Sequence, residues 1–70
     1  MLSNHGRMLS AREVEIVGLV AAGRANAQIA DQLVISCETV KKHLSRISDK
    51  LGVRTRTGTA VAALRLGLIA

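Results

Sequence analysis

Phenylalanine, tyrosine and tryptophan are all absent from the chain. Proteins that hold single-stranded nucleic acid, and most that read RNA, stack bases on aromatic rings. This chain has no ring for that purpose. Duplex DNA is read through base edges and phosphates and needs no such platform. Proline is also absent, and with it the residue that most strongly breaks helices. The only cysteine is Cys37, so no intramolecular disulfide forms and a reducing cytoplasm is the expected compartment. No apolar run approaches the ~20 residues of a membrane span. Residues Met1 to Arg7 lack the apolar stretch of a signal peptide, and residues 1–8 read as a flexible lead-in. His5, His43 and Cys37 are too few and too scattered for a metal site, so no metal or other cofactor is expected. Paired carboxylates, a nucleophile with its base and a glycine-rich phosphate loop are all missing, which argues against an enzyme.

What the chain does have is cationic charge, unevenly placed. Over residues 1–35, Arg7, Arg12 and Arg24 balance Glu13, Glu15 and Asp31. The net charge of +5 therefore lies wholly in the second half. There Lys41, Lys42, Arg46, Lys50, Arg54, Arg56 and Arg65 face only Glu38 and Asp49. A one-sided positive field suits a polyanion. At 70 residues, 49% of them apolar, the chain makes one small domain.

Strand signals are weak and helical spacing recurs throughout, so the expected fold is all-α with four helices. The first follows Ser10, whose spacing to Glu13 is that of a capping box. Leu9 and Val14 are set for a hydrophobic staple, and Ile16, Val17 and Val20 should face the core. Gly23 ends it. The second runs from about Asn26, read as its N-cap, to Leu33, with Ile29, Ala30 and Leu33 inward. Val34 and Ile35 form a turn, Ile35 reaching the core. The third starts at the N-cap Ser36 and ends near Leu51, before Gly52. Its apolar stripe is Val40, Leu44, Ile47 and Leu51, while Glu38, Lys41, Lys42, Ser45 and Asp49 lie opposite. The fourth spans about Arg56 to Leu66, capped by Thr55 and stopped by Gly67. Gly58 lowers its helix propensity by up to ~1 kcal/mol, so its first turn is expected to fray.

The stretch Asn26 to Leu44 thus reads as short helix, tight turn and second helix with cations outward, the layout of a helix-turn-helix. The residues around it carry a wider resemblance. Leu9-Ser-Ala-Arg-Glu-Val-Glu-Ile-Val17, Gly23, Asn26, Ile29-Ala30, Leu33, Ile35-Ser36, Thr39-Val-Lys41, His43-Leu44, Lys50-Leu-Gly-Val53 and Arg56-Thr57 together resemble the LuxR-type, or GerE-like, DNA-binding domain, over Leu9–Ile69. The resemblance implies a four-helix bundle with a helix-turn-helix, related to the winged-helix superfamily but without a sheet, filling residues 9–70. It also implies a bacterial transcription factor that often follows a phosphoacceptor receiver or a small-molecule sensor.

By position, the resemblance puts Lys41, Lys42 and Ser45 at bases, and Ser36, Thr39 and His43 near phosphates or in support of the helix. Glu38 shares the base-facing side. Arg46, Arg54 and Arg56 are candidate phosphate contacts by charge and place. Helix four commonly mediates dimerisation in the family, and Ala60, Val61 and Leu64 are the residues expected to do so here. Glu15 is expected to be partly buried against a basic partner, as its family counterpart tends to be. Several positions depart from the family pattern: Ala11 stands for a proline, Ala25 for a capping serine, Ala27 for a lysine and Lys42 for a neutral residue. The function so implied is sequence-specific binding of double-stranded DNA for transcriptional regulation, as a homodimer at the nucleoid, with RNA polymerase a further candidate partner. A sigma-factor-like promoter domain and a protein-interaction module are the alternatives.

Overall fold

The computed structural model describes residues 9–69; the expected lead-in over residues 1–8 lies outside them. The described residues form four helices and no strand: α1 (Ala11–Ala21), α2 (Asn26–Leu33), α3 (Cys37–Leu51) and α4 (Arg56–Arg65). The all-α, four-helix expectation holds. α1 packs on α3 and α4, and α2 packs chiefly on α3.

Each helix starts where local chemistry lets it. At α1 the Ser10 hydroxyl accepts from the Glu13 N–H at 3.2 Å and the Glu13 carboxylate accepts from the Ser10 N–H at 2.8 Å. That closes the capping box and satisfies two otherwise free donors. At α3 the Ser36 hydroxyl accepts from the Thr39 N–H. At α4 the Thr55 hydroxyl accepts from the Gly58 N–H at 2.9 Å, and the helix is regular from Arg56 onward. The fraying expected from Gly58 is not seen. A β-carbon on Gly58 would stand 2.9 Å from the Thr55 hydroxyl oxygen, so a side chain there would crowd the cap that starts the helix.

α2 corrects one expectation. Its N-cap is Ala25, not Asn26, and it has no side-chain cap. Gln28 supplies half of a capping box, its amide oxygen accepting from the Ala25 N–H at 2.8 Å. Asn26 is already helical, and its side chain is engaged elsewhere.

The turn between α2 and α3 carries the backbone's one left-handed residue that is not glycine, among those described. α1 and α3 end at Gly23 (φ 88°) and Gly52 (φ 69°), where glycine meets no β-carbon penalty. α2 ends instead at Val34, with φ 57° and ψ 49°. The Ile35 N–H reaches the Ala30 carbonyl at 3.0 Å, which closes the helix end and turns Ile35 onto the core. Val34 itself is 89% exposed, so side-chain burial does not offset the strain of about 1–2 kcal/mol. Val34→Gly removes that strain but adds unfolded-chain entropy worth about 0.4–1 kcal/mol. The expected net gain is about 0.5 kcal/mol, a rise in melting temperature of about 2–4 °C. A lower melting temperature by calorimetry would contradict it.

The core is Leu9, Ile16, Val17, Val20, Ile29, Ala30, Val40, Ile47 and Ala63. All three residues expected inward on α1 are there. On α3 only Val40 and Ile47 are fully buried, while Leu44 and Leu51 pack on the core edge. α4 contributes little apolar bulk. Its buried residues are Thr59 and Ala63, and Val61 and Leu64 remain 40% and 48% exposed.

Candidate nucleic-acid interface

α3 has two chemically opposite sides. Val40 and Ile47 are completely buried. A half-turn away, Glu38, Lys41, Lys42, Ser45, Arg46 and Asp49 are exposed. The helix is 15 residues long, about 22 Å at 1.5 Å per residue. That length suits the major groove, which is about 12 Å wide and admits a helix. All four residues expected at bases, Glu38, Lys41, Lys42 and Ser45, stand on this open side. Glu38 and Lys41 make an exposed ion pair at 3.8 Å, which sequence reading left unremarked although their three-residue spacing allows it.

The phosphate candidates fall into distinct environments. The Ser36 and Thr39 hydroxyls share a hydrogen bond of 2.9 Å at the start of α3. One hydroxyl hydrogen of the two is left to donate outward, beside backbone N–H groups at the positive end of the helix dipole. Both features favour an anion. His43 is half-buried, and its Nδ1 is enclosed with no hydrogen-bond partner; a phosphate would have to be met through Nε2. Arg46 and Arg54 are exposed. Arg54 lines a cleft of about 270 Å³ between α3 and the start of α4, together with Lys41, Ser45 and Arg56.

Arg56 is placed differently from Arg46 and Arg54. One guanidinium nitrogen donates to the Asn26 side-chain oxygen at 2.6 Å and another to the Arg24 carbonyl at 2.7 Å. It ties the start of α4 to the start of α2. No spacing rule links residues 30 apart, so the sequence carried no signal for this tether. The α3–α4 contact has a polar fastening of its own. Thr59 donates to the Thr55 carbonyl, so in the 3.0 Å bond between the Ser48 and Thr59 hydroxyls Ser48 is the donor.

An ion pair between a buried acid and a half-exposed lysine joins α1 to α3. Glu13 is 4% exposed, and one of its carboxylate oxygens accepts from both the Lys50 ammonium at 2.7 Å and the Ser10 N–H at 2.8 Å. Burial alone raises the Glu13 pKa. The Lys50 hydrogen bond, the Ser10 N–H and the Lys50 charge together outweigh it and leave the group below its ordinary value. The buried acid of α1 is therefore Glu13, not the expected Glu15, which pairs on the surface with Arg12 at 3.5 Å. Of the two acids, only Glu13 lies on the core side, three residues before Ile16.

No group of three or more metal-ligating side chains occurs among the described residues, and none of their helices is long and apolar enough to cross a membrane.

A two-faced helix held by a shorter one across a tight turn, with cations outward, defines a helix-turn-helix domain of the DNA-binding, transcription-regulating class. Comparison with known proteins agrees. The family model of bacterial regulatory proteins of the luxR family matches residues 7–63, and the chain belongs to that family. It is similar to the solved structure of the transcription factor GerE, with a TM-score of 0.85 and 38% identity over 90% of this chain and 94% of that one. The transcriptional regulatory protein LiaR of Bacillus subtilis is 44% identical over 87% of this chain and 29% of its own length. The transcriptional activator RamA of Corynebacterium glutamicum is 41% identical over 87% of this chain and 22% of its own. The oxygen regulatory protein NreC of Staphylococcus aureus is 38% identical over 90% and 29%. The chain thus spans less than a third of the length of these curated relatives.

Proposed function

We propose that this chain regulates transcription by binding specific duplex DNA sequences with α3 in the major groove. The single observation behind this reading is the division of α3 into an inward apolar side, with Val40 and Ile47 fully buried, and an open side bearing Glu38, Lys41, Lys42 and Ser45. Lys41, Lys42 and Ser45 meet base edges. Arg46, Arg54, the Ser36–Thr39 hydroxyl pair and His43 meet the flanking phosphates. Arg56 acts mainly through its tether, which holds the start of α4 to the start of α2. Two copies bind as a homodimer on half-sites about one helical turn apart, ~34 Å. The exposed Val61 and Leu64, with Ala60, form the contact between them on α4. The domain binds rather than catalyses. It acts where the chromosome lies, in the cytoplasmic nucleoid, and meets RNA polymerase there.

The reading is tested by the salt dependence of binding to duplex DNA. Lys50 and Arg56 are engaged internally, which leaves Lys41, Lys42, Arg46 and Arg54 on or beside the open side. If these neutralise about four phosphates, log affinity falls against log salt with a slope of about −3.6 per domain. A response near zero would sink the proposal.

A further inference from the structure

Lys41, Lys42 and Ser45 suit a surface turned toward a polyanion, whereas Glu38 does not. Its side chain is 78% exposed, and its carboxylate lies 3.8 Å from the ammonium of Lys41, itself 63% exposed. An exposed pair at this spacing adds little to stability. A first-turn acid also gains modestly from the helix dipole, in whichever position of that turn it stands. Stability therefore does not account for an acid at this place.

The groove does. Phosphates line both walls and repel a carboxylate. Its floor offers donors only at the amino groups of cytosine and adenine. Lysine finds its best partner in the adjacent O6 and N7 acceptors of guanine. On a G·C pair the cytosine amino group stands beside guanine O6, so one base edge presents donor and acceptors side by side. The Glu38–Lys41 pair presents an acceptor and a donor side by side in the same way. An A·T pair answers less well, because thymine offers one acceptor next to a methyl group.

We propose that Glu38 and Lys41 together read a single G·C base pair, Glu38 accepting from the cytosine N4 amino group and Lys41 donating to guanine O6 and N7. Glu38 is then the discriminating residue: its charge rejects bases that present only acceptors where cytosine should stand. The inference rests on α3 occupying the major groove.

The test is selection of sites from a random duplex library by the full chain and by its Glu38→Ala and Glu38→Gln variants, with affinity for unselected duplex measured in parallel. The wild type should enrich one G·C pair at a fixed place in each half-site, favoured about tenfold over the other pairs. Glu38→Ala should level that one position and leave the others. It should also bind unselected duplex several-fold more tightly at low salt, because a negative charge has left the surface. Glu38→Gln should shift the position toward A·T, since glutamine pairs with adenine N6 and N7. A purely stabilising Glu38 would change melting temperature and no base preference. If Glu38→Ala retains the wild-type preference at every position, this inference falls and DNA binding stands. If the wild-type chain binds no duplex at low salt, both fall together.

Discussion

Replacing Lys50 with methionine should destabilise the domain by about 2 kcal/mol at neutral pH. The substitution keeps much of the apolar stem but leaves the Glu13 carboxylate, 4% exposed, with the Ser10 N–H as its remaining partner. Removing one partner of a fully buried pair costs about 3–5 kcal/mol. The Lys50 side chain is 42% exposed, so water screens part of the interaction and the expected loss is smaller. It remains large for a domain of this size, whose total stability is about 3–5 kcal/mol. Chemical denaturation measures it directly.

The effect carries a pH signature. The native pKa of Glu13 lies below its ordinary value of 4.5. A depressed carboxylate contributes stability that is fully present above the ordinary value and is lost as pH falls through the native one. Without Lys50, burial is opposed only by the Ser10 hydrogen bonds, so the native pKa rises. The deficit of Lys50→Met against wild type should therefore be greatest at neutral pH, shrink as pH falls, and vanish only below the depressed wild-type pKa, where Glu13 is protonated in both. A deficit that is constant from neutral to acid pH would show that packing, not charge, couples α1 to α3.

Lys41→Ala should cost about 1–3 kcal/mol on a selected site and blur sequence preference there. Its side chain is 63% exposed, so the fold should survive. The exposed pair with Glu38 contributes at most a few tenths of a kcal/mol to stability. The loss should be larger on the selected site than on random duplex, because a lysine that reads guanine discriminates while one that meets phosphate does not. Equal losses on both would demote Lys41 to a backbone contact. Lys41→Arg separates charge from geometry. It restores affinity for random duplex, and restores preference only if the longer fork still reaches guanine.

Much of this could be read along the chain, and the reason is range. Capping, helix ends and the inward stripe of α1 are interactions over three or four residues. The Ser10–Glu13 box, the Ser36 and Thr55 caps and the open side of α3 therefore matched expectation. The misreadings share the opposite property. Asn26 looked like a cap but accepts from Arg56, 30 residues away. Glu15 looked like the buried acid, but Lys50, 37 residues from Glu13, selects the other. Gly58 looked like a weakness, yet its missing side chain makes room for the Thr55 cap.

The order and type of the helices, and the cationic side turned outward, follow from the sequence by itself, because periodicity and end chemistry act within one or two turns. Which acid is buried, which arginine is tied to another helix and how α3 is held against α1 and α4 were decided only by the tertiary structure. Those choices depend on side chains that meet across the bundle, and separation along the chain does not encode such meetings.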